Sequence, residues 1–224
     1  MQHIDVDGGY VRLLDYMGTD LTPVNAARAS FQRRTATMRP QDERLLGYLA
    51  ESRPAHTMPY RHPQLTVEVK APIFIARQWY RHLIGARYVD TAWSEASGRY
   101  IAYDGHWTPS VLRPAPANRK QGSGEGAHPR SDHWIDIMQR HSAYSQAIYE
   151  DMIADGVAPE QARTILGLNV FTSWHWTASL QAAAHVVNLR TDPHAQAEIR
   201  PYAAALDTIC AALWPVAWQW RSHL

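Results

Sequence analysis

Gln78, Arg81 and His82 fall on one helical turn, and a short way downstream SEASGRY brings Ser97, Gly98 and Arg99 together. A Ser-Gly turn can point successive backbone N–H groups at an anion, and an arginine adds an always-charged, bidentate donor fork. The combination suits a phosphate, although the same residues also describe an ordinary surface turn ending in a solvated arginine. Two further arginines, Arg163 in EQARTILGLN and Arg190 in VVNLRTDPHAQAEI, lie in or just after apolar helical stretches. A charge there needs a partner, either a ligand anion or a structural ion pair with Asp or Glu.

Other chemistries find less support. The 12 histidines, among them His56, His62, His82, His175, His185 and His194, form no HExxH or paired-carboxylate zinc pattern. They read as hydrogen-bonding or packed histidines, and no metal is expected. The single cysteine, Cys210, excludes an intrachain disulfide and a cysteine-built zinc site. It sits in the apolar run DTICAALWPVAW with no basic neighbour to lower its pKa, so it reads as a small core residue. Trp174, Trp176, Trp214, Trp218 and Trp220 read as packing residues.

The elements that must position these groups follow from periodicity. PQLTVEVK, residues 63 to 70, alternates apolar and polar positions at Leu65, Val67 and Val69, which predicts a strand. Beyond Pro72 the apolar residues Ile73, Phe74, Ile75, Trp79 and Tyr80 approach a helical stripe, so a strand runs into a helix. YVRLLDYMG is strand-like. Trp134, Ile137, Met138, His141, Tyr144, Ile148 and Met152 recur every three or four residues, the pattern of an amphipathic helix stopped at Gly156. Further helices are expected near 159 to 167, 169 to 188 and 194 to 218, the last capped by Asp192 and Pro193. Residues 117 to 130, ANRKQGSGEGAHPR, have no apolar period and predict a mobile loop. The result is an α+β fold, a mixed sheet packed with a larger helical layer, in a single domain over 1–224.

Composition restricts the partners. Hydrophobic residues make up 46% of the 224 and the formal net charge is +1, so a packed core is expected but no field for non-specific nucleic-acid binding. No apolar stretch is long enough for a membrane helix, and the N-terminal segment lacks the pattern of a secretory signal; the expected location is cytoplasmic.

Taken in order, these segments resemble the flavin-dependent thymidylate synthases nearly end to end. The resemblance is carried by Gly9-Tyr10-Val11, Met17-Gly18, Ala26 to Phe31, the stretch from Val67 to His82 and SGRY at 97 to 100. It continues through Ala162-Arg163, Leu168-Asn169, Trp176-Thr177, Asn188-Leu189-Arg190, His194-Ala195-Gln196 and Glu198-Ile199. It implies a homotetramer with shared active sites, FAD as cofactor, methylenetetrahydrofolate as carbon donor and NADPH as reductant. It also implies a uridine nucleotide bound by Gln78, Arg81, Glu95, Ala96, Ser97, Gly98, Arg99, Arg163 and Arg190. Arg190 matches the residue expected to contact the uracil ring and favour ionisation at N3; with Ser97 it is the implied catalytic pair. Ser30, Arg81, His82, Ile84, Glu95, Ser179, Gln181 and His185 match flavin contacts.

Several positions depart from the family pattern. Its arginine-histidine-arginine triplet is here Arg81-His82-Leu83, with Arg87 available as a replacement, and about six extra residues within GARYVDTAW precede the Ser-Glu-Ala-Ser-Gly-Arg segment. Met58 and Arg61 stand for threonine and glutamate, and Ser179 and Gln181 for asparagine and arginine. These changes gather around the flavin and the substrate loop, which implies a specialised member with altered substrate preference; the expectation is that it accepts UMP as well as dUMP, in nucleoside antibiotic biosynthesis. A dUMP-specific thymidylate synthase, a uridylate hydroxymethylase and a non-catalytic nucleotide-binding protein are the competing expectations.

Overall fold

A computed structural model describes residues 2–82, 91–103, 105–117 and 122–224. Ile84, Arg87, most of the insertion after His82 and residues 118–121 of the expected loop lie outside the described residues.

Among the described residues five strands form one sheet: β1 (His3–Val6), β2 (Gly9–Met17), β3 (Gln64–Pro72), β4 (Thr91–Glu95) and β5 (Phe171–Ser179), in the order β1-β2-β3-β5-β4. β1 and β2 are an antiparallel hairpin with His3 opposite Arg12 and Val6 opposite Gly9. Its turn uses Asp7 and Gly8, both at positive φ, as a two-residue hairpin requires. Among the described residues seven α-helices complete the α+β fold: α1 (Leu21–Arg28), α2 (Pro40–Glu51), α3 (Ile73–Tyr80), α4 (Ser131–Ala154), α5 (Pro159–Ala162), α6 (Leu180–Arg190) and α7 (Arg200–Leu213). The alternation at 63 to 70 and the stripe after Pro72 become β3 and α3 as expected. Among the described residues no helix is long and apolar enough to cross a membrane.

Three expectations are corrected. The segment expected as one helix from 169 to 188 is strand β5 followed by helix α6. Thr172, Trp174, Trp176 and Ala178 are buried while Phe171, Ser173, His175 and Thr177 are less so, a period of two that β-branched and aromatic residues favour. Ser179 ends the strand and caps the helix at once, its Oγ accepting from the Ala182 N–H at 3.2 Å. The last helix begins at Arg200, with Pro201 in its first turn, rather than at 194; Asp192 instead closes a local turn by accepting from the His194 N–H at 2.7 Å. α4 has the predicted length and ends ahead of Gly156 at φ +84°, but Trp134 and Tyr144 are exposed and its buried positions are Ser131, Ser142, Ser145 and Tyr149. The chain uses the smaller, more polar face of that helix for its own packing.

The chain groups into two compact units. The first holds Met1–Val69, Gln78–Ser94 and Trp174–Leu224. Its core is dense and aromatic: Trp79 lies edge-on to Trp174 and Trp176 with ring centres 5.8 and 5.4 Å away, and Trp93 stacks on Trp174 at 4.7 Å. Leu46, Leu65, Leu180, Leu206, Trp214 and Cys210 are buried with them. Asp20 accepts the Val216 and Ala217 N–H groups, so this unit also joins its earliest helix to its last turn. The second unit holds Lys70–Arg77 and Glu95–Ser173. There the Ile73 and Phe74 N–H groups donate to Val170 O and Leu168 O, Phe74 meets Trp107 edge-on, and Asn169 Nδ2 donates to Trp107 O and Ser142 Oγ.

Candidate functional site

In the first unit the candidate residues come from two places: the end of α3 with the turn after it, and helix α6. α6 carries Gln181 and His185 four residues apart, hence on one face, and ends at Arg190. Arg190 Nε donates to His82 Nε2 at 3.1 Å, and the His82 and His185 rings meet edge-on with centres 5.4 Å apart. An arginine N–H can only donate, so His82 Nε2 must present its lone pair and the ring is the neutral tautomer with its proton on Nδ1. Burial first, then the positive charge of Arg190 and the neighbouring His185, pushes the His82 pKa down to about 3. Burial likewise lowers that of Arg190. The pair therefore carries one positive charge at neutral pH, on the arginine, and the bond to His82 is made through Nε, not through the two Nη groups.

Ion pairing elsewhere explains what Arg190 is not. Arg12 pairs with Glu68, Arg28 and Arg39 share buried Asp42, and Arg221 pairs with Asp207. Among the described residues no carboxylate pairs with Arg190, nor with half-buried Arg163 in the turn after α5. The structural ion pair that sequence alone left open for these two is absent among the described residues, so both stay candidates for a ligand anion.

The remaining residues of the first unit are less tightly built. Gln78 Nε2 donates to Gln196 Oε1 at 2.7 Å. Arg81 is exposed after α3, and Ser30 is exposed, its Oγ donating weakly to Ala27 O at 3.4 Å. Met58 and Arg61 contact each other through Arg61 Nη1 and the Met58 sulfur at 3.4 Å. Gln181 is fully buried, yet neither its Oε1 nor its Nε2 has a partner among the described residues. A buried amide left unsatisfied costs about 1–3 kcal/mol, which a ligand edge offering one donor and one acceptor would relieve. That donor set fits a flavin, whose ring carries such an edge.

In the second unit the turn from Glu95 to Arg99 follows β4. The Ala96 N–H donates to Ser173 O at 2.8 Å, the Tyr100 and Ile101 N–H groups donate to Ser97 O, and the Arg99 N–H donates to Ser97 Oγ. Among the described residues the Ser97 and Gly98 N–H groups enter none of these bonds, which leaves them as the donors of the anion nest expected from the sequence. Arg99 Nε also donates to Ser97 Oγ at 3.2 Å while its guanidinium lies 5.0 Å from the centre of the Tyr100 ring. Glu95 Oε1 accepts from Arg77 Nη2 and Thr172 Oγ1, each at 3.2 Å. Gly98 is buried against Tyr103. Arg77, Thr172 and Tyr103 were not singled out by sequence; the signal for Thr172 was the alternation of β5, hidden while that segment read as helix.

Three comparisons place these features in a family. Residues 12–216 match the family model described as thymidylate synthase complementing protein. A flavin-dependent thymidylate synthase of Wolbachia pipientis is 38% identical over 221 residues, covering 97% of this chain and 75% of that protein. One from Thermus thermophilus is 37% identical, with 98% and 78% covered. The solved structure of a UMP/dUMP methylase, PolB from Streptomyces cacaoi, bound with 5-Br dUMP, superposes with a TM-score of 0.83 at 26% identity over 96% of this chain and 95% of that one. The same methylase bound with 5-Br UMP superposes at 0.82. With a match of this extent the chain belongs to the flavin-dependent thymidylate synthase family.

Proposed function

We propose that this protein methylates C5 of a uridine nucleotide, UMP as well as dUMP, with FAD as cofactor, methylenetetrahydrofolate as carbon donor and NADPH as reductant, in nucleoside antibiotic biosynthesis. The observation that carries the reading is Arg190: a partly buried guanidinium fixed by neutral His82 and, among the described residues, without a carboxylate. A fixed cation at the uracil ring stabilises negative charge from N3 ionisation, which raises electron density at C5, the atom that must attack the one-carbon unit. The flavin, when bound, supplies the redox chemistry, so no side-chain nucleophile is required. Cys210 accords with that: it is fully buried, and burial with nearby Asp207 pushes its thiol pKa up. Gln181 and His185 of α6, with His82, would line the flavin; the nucleotide contacts implied by the family are Gln78 and Arg81 in the first unit and, separately, Arg163 and the Glu95–Arg99 turn in the second. Acceptance of both nucleotides is supported by the likeness to a methylase solved with analogues of each.

We further propose a cytoplasmic homotetramer. Its support is the apolar surface of the second unit: Trp134, Tyr144 and Ile153 on α4, with Ile165 and Leu168, are exposed.

Mass spectrometry of the product formed from UMP or dUMP with FAD, NADPH and methylenetetrahydrofolate tests the function. One added methyl on UMP is expected, and Arg190→Ala should lower kcat by about 100-fold or more, the scale for losing a charge-stabilising donor. Methylation of dUMP alone would mean an ordinary thymidylate synthase, a product heavier by one oxygen a hydroxymethylase, and no product a nucleotide-binding protein.

A further inference from the structure

We infer that Thr172 and Tyr103, assisted by Arg77, are positioning residues that hold the Glu95–Arg99 turn in the shape that receives the nucleotide, an inference that rests on the reading of this turn as nucleotide-binding. The turn has little packing of its own. Arg99 is exposed, as are Tyr100 and Ile101 just after it, and a loop ordered only on binding would lose affinity to that ordering.

Among the described residues Thr172, Arg77 and Tyr103 bear on the turn with their side chains, besides the Ala96 N–H bond to Ser173 O. Thr172 lies on the buried side of β5 and is only 4% exposed; its β-branched side chain has few rotamers, so its Oγ1 is a fixed donor to Glu95 Oε1 at 3.2 Å. Arg77 Nη2 reaches the same oxygen at 3.2 Å, but its side chain is 55% exposed, so solvent weakens that ion pair and Thr172 is the stronger anchor. At the middle of the turn Gly98 is required for space. A Cβ there would run into the edge of the Tyr103 ring, closer to Cε2 than real Cβ atoms come, with Cδ2 and Cζ 3.0 Å away. The ring therefore lies directly against the backbone that carries the Ser97 and Gly98 N–H groups, and it fixes where they point. Neither Thr172 nor Tyr103 needs to touch the nucleotide; each acts through the turn.

The test is nucleotide titration and steady-state kinetics of the FAD-loaded protein, using Thr172→Val, Thr172→Ser, Tyr103→Ala and Tyr103→Phe. Thr172→Val keeps the shape and removes one hydrogen bond, so KM and Kd for UMP or dUMP should rise about threefold to tenfold, with kcat at saturating nucleotide within about twofold. Thr172→Ser restores the hydroxyl and should restore KM. Tyr103→Ala removes the support under Gly98 and should raise Kd about tenfold, while Tyr103→Phe, which keeps the ring, should stay within about twofold. A variant set that melts like the unaltered protein and binds nucleotide like it overturns the inference, as does failure of Thr172→Ser to restore KM. An unaltered protein that binds neither UMP nor dUMP overturns the nucleotide reading of the turn and the inference with it; that failure shows before any substitution is made.

Discussion

Arg190 and Arg99 are both candidate ligand arginines, and the two units treat them differently. In the first unit Arg190 ends a buried helix, and a histidine that is only 6% exposed holds its Nε. In the second unit Arg99 is exposed and folded back onto Ser97 of its own turn. The surroundings do not divide so simply. The first unit buries Trp79, Trp174, Trp176 and Trp214 but exposes Phe31 and Met58, and the second exposes Trp134, Tyr144 and Leu168 but buries Tyr149 and Val170. A group whose task is to fix charge at a reacting ring is best held rigidly, since reorganising it during reaction would forfeit the stabilisation. A phosphate-binding turn must instead admit and release its ligand, and ligand loops are drawn from the less densely packed parts of a fold.

The largest effect should come from breaking the rigidity of the first unit. Trp79 is fully buried among Trp174 and Trp176, so Trp79→Ala should lower unfolding stability by about 3–5 kcal/mol in denaturant titration. Trp79→Phe should cost much less, because the indole N–H of Trp79 has no partner among the described residues and its loss removes an unsatisfied donor. Equal costs for the two substitutions would mean that the indole N–H is satisfied in solution.

A second effect, which appears only as pH is lowered, separates the charge on Arg190 from its packing. His82 has a folded pKa of about 3 against an ordinary value of 6.5. Between those values the unfolded chain binds a proton at this residue that the folded chain refuses. Its neutral burial therefore contributes stability above pH 6.5 that is lost as pH falls toward 3. One proton of difference amounts to a slope of about 1.4 kcal/mol per pH unit. Stability curves of the unaltered protein and His82→Gln should accordingly converge as pH falls through that window. Parallel curves would show that His82 does not stay neutral, and the assignment of a single positive charge to the pair would fail.

The same contrast decides what could be read from sequence. β3 and α3 were legible because Pro72 marks where a period of two gives way to a helical stripe. β5 and α6 have no such mark: FTSWHWTAS passes directly into LQAAAHVVNLR through Ser179, and the alanine-rich run extended a helical pattern back over the strand. Arg190 was legible as a charge needing a partner, but the partner is a neutral histidine 108 positions away, which only folding brings near. Thr172 and Tyr103 carry no charge and no motif; their placement beneath the turn depends on a register and a close approach that local periodicity does not encode.

The smallest expected effect on folding concerns the exposed face of α4, and it sharpens the comparison most. Trp134 is 42% exposed and Tyr144 is 68% exposed, while the same helix buries Ser142 and Ser145. An isolated chain gains little from apolar residues so placed, so Trp134→Gln with Tyr144→Gln should change the stability of the separated chain by no more than about 0.5 kcal/mol per site. In the proposed homotetramer the face is covered by another copy, and the double variant should sediment as a smaller species at concentrations where the unaltered protein is assembled. An unchanged assembly would locate the subunit contact elsewhere and leave the apolar face of the second unit without an explanation. A monomeric unaltered protein would remove the tetramer altogether, and the exposed face of α4 would then be compatible with a stable single chain.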